Sequence, residues 1–194
     1  TLAAAMLRLS GWDRKSPLAD PMCGSGTLPI EADLWARRVA PGLSRQRFGF
    51  ERWASFEPSL EKRLSVLRGR ARDRQQQDGP PVSGYDRDTR ALELARQSAG
   101  RAGARASFHR AELDAFAGTT PPGLLITNPP YGERLEGGRD LYEQIGAMFA
   151  RVSAGHRIAI LLGPDVPFRP PNFAQRHRLK NGDLSCTLAV WDVR

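Results

Sequence analysis

The tetrapeptide Asn128-Pro129-Pro130-Tyr131 follows the apolar run Leu124-Leu125-Ile126 with only Thr127 between them. A short buried strand therefore ends where a polar side chain and a rigid turn begin, which is where open α/β sheets keep their chemistry. The two prolines remove two backbone N–H donors and fix φ, so the Asn128 amide and the Pro129 carbonyl are held still as acceptors. Two acceptors aimed at one point suit the hydrogens of a planar exocyclic amine, and the Tyr131 ring offers a stacking face for an aromatic base. Asn128, Pro129 and Tyr131 are the catalytic candidates on this reading. The competing reading of the same residues is a plain Asn-Pro turn between strand and helix.

A second stretch, Asp20-Pro21-Met22-Cys23-Gly24-Ser25-Gly26-Thr27, runs from a brief strand into a glycine turn and a helix that starts at Leu28-Pro29-Ile30. Glycines 24 and 26 let the backbone approach a ligand closely, and the N–H groups of a helix start favour a carboxylate. A dinucleotide phosphate loop would need a third glycine where Pro29 stands, which argues against a nicotinamide cofactor. Cys23 has no neighbouring histidine to activate it and reads as a small residue packed in the turn. Further on, residues 81–86 read as a strand ending in Asp86, a carboxylate placed to accept from two ribose hydroxyls, while Asp88 caps the helix beginning at Thr89. The interval from the glycine turn to Asp86 exceeds the usual spacing of about twenty residues, which residues 41–79 explain as an insertion.

The elements that must hold these groups are one α/β set. Residues 2–12 carry apolar positions at helical spacing, and the helix after the glycine turn continues to Val39 before Pro41-Gly42 stops it. Within the insertion, residues 40–53 interleave Phe48, Phe50 and Trp53 with arginines. The aromatics read first as a hydrophobic plug over the sheet edge and second as stacking surfaces for unpaired RNA bases, with Arg45 and Arg47 as RNA contacts. Residues 59–77 predict a basic helix whose charges are mostly a solvated face. A helix over 89–96, a weak strand over 104–108, a strand over 124–126, a mobile loop over the site at 133–138, a helix over 141–152 and a buried strand over 157–162 follow. His109 reads as a surface residue at a strand end. The segments 174–180 and 184–193 flank Asn181-Gly182, a hairpin signal.

Composition bounds the class. A chain of 194 residues with 40% hydrophobic content suffices for one α/β domain, and its formal net charge of +8 points to a polyanion such as nucleic acid. Almost all that charge is arginine, since Lys15, Lys62 and Lys180 are the only lysines. Guanidinium forks suit phosphates and base stacking. Codon usage in a genome rich in guanine and cytosine accounts equally well for the arginine preference, though not for the excess charge. Two scattered cysteines, Cys23 and Cys186, exclude a disulfide framework or metal knuckle and imply a reducing cytoplasm; no run is long and apolar enough to span a membrane. The chain does not open with Met, so a preceding domain is expected.

Taken together, the blocks Ala19 to Ala32, Ala40-Pro41-Gly42-Leu43, Asn128 to Leu135 and Lys180-Asn181-Gly182 resemble the bacterial 23S ribosomal RNA guanine-N2 methyltransferases. The resemblance spans nearly the whole chain. It implies a Rossmann-like class I methyltransferase fold: a mostly parallel seven-stranded sheet with an antiparallel C-terminal hairpin strand and helices on both faces. It also implies S-adenosyl-L-methionine as cofactor, no metal, RNA as partner, and transfer of a methyl group to the N2 amine of guanine in large-subunit ribosomal RNA. Transfer RNA guanine-N2 methylation, DNA adenine-N6 methylation and a noncatalytic RNA-binding module are the alternatives. Through the resemblance Asp20 meets the cofactor's methionyl amino group, and Met22, Cys23, Gly24, Ser25, Gly26, Thr27, Asp86 and Asn128 belong to its site. An acidic residue usually accepts from the adenine amine; Ala111 stands at the aligned position, leaving Glu112 or Asp114. Arg134 and Lys180 join Arg45 and Arg47 as RNA candidates. Such proteins carry an amino-terminal THUMP RNA-binding domain, so residues 1–194 read as a monomeric catalytic domain alone.

Overall fold

Several segments are apolar on both sides, and such strands need cover on both faces. In the computed structural model, which describes residues 1–131, 138–152 and 154–194, they become the centre of one sheet. Its strands are β1 (Leu18–Asp20), β2 (Val82–Asp86), β3 (Ser107–Arg110), β4 (Leu124–Thr127), β5 (Arg157–Leu162), β6 (Gln175–Asn181) and β7 (Leu184–Asp192). They lie in the order β3-β2-β1-β4-β5-β7-β6. The first five are mutually parallel, and β7 runs antiparallel to both its neighbours. This is the expected mixed sheet with its closing hairpin. Every residue of β1 and β4 is buried.

The helices are α1 (Leu2–Leu9), α2 (Thr27–Ala36), α3 (Pro58–Asp73), α4 (Thr89–Ala102) and α5 (Gly138–Arg151). Parallel crossovers are right-handed. The β1-α2-β2 and β2-α4-β3 steps move one way along the sheet and β4-α5-β5 moves the other, so α2 and α4 cover one face and α5 the opposite one. Ile145 and Met148 of α5 belong to the same buried core as Leu125, Ile126 and Ile160 of the sheet. Leu92, Ala95 and Ala99 of α4 pack with Ile30 and Phe108. Sheet order reverses between β1 and β4, which opens a crevice above the carboxyl ends of the strands.

Some boundaries differ from the sequence reading. The third strand was expected over 104–108 and forms at Ser107–Arg110, because the Arg105 N–H is taken by Asp33 Oδ2 at 2.9 Å. The basic helix ends at Asp73, not at residue 77, since the Gln76 N–H turns to the Arg37 carbonyl. No plug on the sheet edge forms. Phe48 and Phe50 stack on each other with centroids 5.4 Å apart, Phe50 meets Phe56, and Trp53 stays 67% exposed. The expected loop at 133–138, apart from Gly138 at the start of α5, lies outside the described residues, as does Arg134.

Candidate active site

The floor of the crevice is set by β1. Asp20, its last residue, is 1% exposed, and its Oδ1 accepts from the Met22 N–H at 3.1 Å. Burial pushes its carboxyl up to about 7, against the pull of the Met22 N–H. The fully buried Thr127 hydroxyl also favours the charged form of Asp20, although its Oγ1 has no hydrogen-bond partner of good geometry. The turn that follows depends on Gly26, which sits at φ 81° as the residue capping α2. A Cβ there would also lie 2.8–2.9 Å from Phe108 and Ala95, so only glycine brings α2 this close to α4 and β3. Cys23 is buried, and its thiol is raised far above the ordinary cysteine value by burial and then by Asp20 and Asp86. A thiol so held is no nucleophile.

Asp86 ends β2 beside this turn. Its Oδ2 accepts from the Gly24 N–H at 2.9 Å and its Oδ1 from the Asp88 N–H at 2.9 Å. A carboxylate has about four lone-pair sites. Two are thus occupied by the backbone and two remain for a vicinal diol. Asp88 caps α4 by accepting from the Arg90 N–H at 2.8 Å.

Opposite, β4 delivers Asn128, exposed and without a side-chain hydrogen bond among the described residues. Pro129 is buried behind it. The next carbonyl, that of Pro130, accepts from the Tyr142 hydroxyl at 3.3 Å, and burial pushes that hydroxyl's pKa up to about 12. Tyr131 is 9% exposed and packs against Gly163, where a Cβ would overlap its ring at 2.6–2.7 Å. Its hydroxyl accepts from Asn181 Nδ2 at 2.7 Å. The ring is therefore fixed in the wall.

One cavity of about 1150 Å³ joins these groups, lined by Met22, Gly24, Asp86, Glu112, Asn128, Pro129 and Tyr131 among others. Cys23, Ser25, Gly26, Thr27 and Asp114 do not line it, and Asp20 lies beneath the floor. Glu112 takes the cavity position and Asp114 does not. Arg45 and Arg47 are exposed on the insertion, and Lys180 is exposed next to the wall residue Asn181. The sequence reading missed Asn181, Asp183, Arg87 and Gln144, which also line the cavity. Asn181 carried a hairpin signal and a place in one of the resemblance blocks but no site role, and nothing in spacing aims a hairpin tip at a loop that follows a strand well inside the sheet.

The family model described as UPF0020, RMKL-like, methyltransferase domain, matches residues 1–189. The chain is 40% identical to the ribosomal RNA large subunit methyltransferase K/L of Methylococcus capsulatus, across 99% of this chain and 28% of that protein. It is 37% identical to the same-named protein of Vibrio campbellii, across 96% of this chain and 28% of that one. The chain thus spans little more than a quarter of the curated relatives it matches. Among solved structures, that of SMU.472 complexed with SAH superposes with a TM-score of 0.86 at 32% identity, covering 100% of this chain and 52% of the other. A Listeria monocytogenes protein described as a predicted N6-adenine-specific DNA methylase superposes with a TM-score of 0.83 at 29% identity, covering 100% of this chain and 50% of the other.

Proposed function

The chain belongs to the RMKL-like methyltransferase domain family, and from that premise we propose that it methylates the exocyclic N2 amine of a guanine in large-subunit ribosomal RNA, with S-adenosyl-L-methionine as donor. The observation that carries this reading is the joining of Asp86, Gly24 and Asn128 in one cavity at the switch point of the sheet. The residues fit the cofactor. Asp86 keeps two lone pairs for ribose hydroxyls, Ala111, Glu112 and Leu113 wall the region for the adenine, and the glycine turn with buried Asp20 beneath it suits the methionyl amine and carboxylate. When bound, the cofactor supplies a methyl group already activated on a sulfonium, so no metal or covalent intermediate is required.

What the chain's own residues contribute is alignment and charge compensation. Asn128 Oδ1 and the Pro129 carbonyl accept the two amine hydrogens, which orients the nitrogen lone pair and stabilises the positive charge that develops there. The prolines remove competing N–H donors beside these acceptors. Tyr131, fixed by Asn181 and Gly163, walls the base pocket. Asparagine is no strong base, so the proton leaves after methyl transfer.

Incubating the protein with labelled cofactor and, in separate reactions, ribosomal RNA and DNA, then digesting each to nucleosides, tests the reading. Label in N2-methylguanosine supports it. Label in N6-methyladenine from DNA supports the second reading, which the name of the Listeria neighbour favours, because two acceptors at one amine do not by themselves separate guanine N2 from adenine N6.

A further inference from the structure

The insertion at residues 41–79 takes no part in the cavity or the sheet. We propose that it is a second RNA-docking surface, on which Trp53 stacks with an unpaired base while Arg63, Arg70 and Arg74 hold phosphates. The proposal rests on RNA being the substrate and adds a separate place where it is gripped.

The insertion builds its own support. Phe48 and Phe50 stack with planes 8° apart, and Arg68 lies 5.3 Å over the Phe48 ring. Arg68 also pairs with Glu51 at 3.0 Å and donates to the carbonyl of Gln46. The surface is therefore formed before any partner arrives, which lowers the entropic cost of binding.

What this support leaves outside is informative. Trp53 is 67% exposed, and its ring has no aromatic, cationic or hydrogen-bond partner among the described residues. Residues 41–79 hold nine Lys and Arg against five Asp and Glu, so a fifth of the chain carries +4 of its +8. Arg63, Arg70 and Arg74 follow the spacing i, i+7, i+11 and share a face with Leu60 and Leu67, which are 43% and 53% exposed. The two acidic residues of α3, Glu61 and Asp73, fall on other faces. A row of cations on α3 and an open indole on the same insertion supply the two kinds of group that bind the phosphates and base planes of a single strand, and the charge sign selects a polyanion over an apolar protein partner.

Its place in the fold separates its role from the chemistry. The insertion leaves from the end of α2, about 15 Å along a ten-residue helix from the glycine turn. Arg105 ties it there through the Gln77 carbonyl at 2.6 Å, near the amino ends of the strands. This surface sets affinity and not the alignment of the amine.

Three variants test this, Trp53→Ala, Trp53→Phe and the double variant Arg63→Gln/Arg70→Gln, each checked for folding by circular dichroism. Anisotropy of a labelled ribosomal RNA fragment, followed across a salt series, should show about tenfold or greater weakening for Trp53→Ala, with recovery in Trp53→Phe. The double variant should flatten the log–log salt slope by about 1.5. Single-turnover methylation at saturating RNA should match the unaltered protein. If the unaltered protein methylates RNA and both Trp53→Ala and the double variant bind it with unchanged affinity and slope, the docking surface is overturned and the enzymatic reading stands. If the unaltered protein binds RNA in a Trp53-dependent way without methylating it, the surface stands and the enzymatic reading fails. A change in sedimentation of the RNA-free protein on Trp53→Ala, with RNA binding unchanged, assigns the face to protein contacts and overturns the proposal.

Discussion

Asp20 is a carboxylate in a place that penalises charge, and the penalty has a pH signature. Unfolded, it loses its proton near the ordinary carboxylate value of about 4; folded, it does so at about 7. Between those values the folded chain binds more protons than the unfolded one, so the stability this group contributes is full below pH 4 and lost as pH rises to 7. Asp20→Asn keeps an acceptor for the Met22 N–H and gives the orphaned Thr127 hydroxyl a donor. Thermal melts should show the Asp20→Asn variant more stable than the parent at pH 8 and not at pH 4, while calorimetry shows weaker cofactor binding. Asn128 has the reverse profile: exposed and unbonded, it costs little to remove. Asn128→Ala should leave the melting temperature nearly unchanged and lower the single-turnover methylation rate roughly 100-fold, the scale of losing one preorganised hydrogen bond to developing charge. Asn128, Gly24 and Asp86 were legible because proline, glycine and a strand-end carboxylate each act on the backbone beside them. The burial of Asp20 beneath the floor was not, since depth depends on β2 and β4 packing on either side of β1.

Among the elements, α2 shows how one pair can tie three. Asp33 and Arg37 form a buried ion pair at 2.7 Å; Arg37 Nη2 also donates to the Gly103 carbonyl at 2.6 Å, and Asp33 accepts from the Arg105 N–H. The end of α2, the cap of α4 and the entry to β3 are thereby clipped together. Asp33→Ala strands the Arg37 charge in the interior, and urea unfolding should show a loss of about 3–5 kcal/mol. Asp33→Leu/Arg37→Met should cost much less, because no charge is left unpaired. The strands β4 and β5 and the β6–β7 hairpin were readable from apolar runs and Asn181-Gly182, which are local signals. The start of β3 was not, because a side chain 72 positions away takes the Arg105 amide just ahead of it. Phe48 and Phe50 misled for a similar reason: they pack on each other and on Phe56 instead of on the sheet, while Trp53 stays exposed.

At the scale of the whole molecule, the net charge of +8 sits on a fold whose cavity is walled around Asp86 by backbone amides and a carboxylate. The two binding events should therefore respond differently to salt. RNA affinity should fall by orders of magnitude between 50 and 200 mM salt, following the number of phosphates neutralised, while calorimetry shows cofactor affinity nearly constant. An RNA affinity flat across that range would remove the electrostatic basis of the partner assignment. The hydrogen bond from Asn181 to Tyr131 reaches further than its length of 2.7 Å suggests. Tyr131 follows β4 and Asn181 ends β6, with β5 and β7 lying between in the sheet; three strand spacings, about 14 Å, are bridged. The outermost strand is thus moored to the cavity wall, and the tip of the closing hairpin becomes a gauge of what the cavity holds. Amide exchange at the tip from Asn181 to Leu184 should slow when the cavity is filled and quicken in Tyr131→Phe, while amides of β3 on the opposite rim keep their rates.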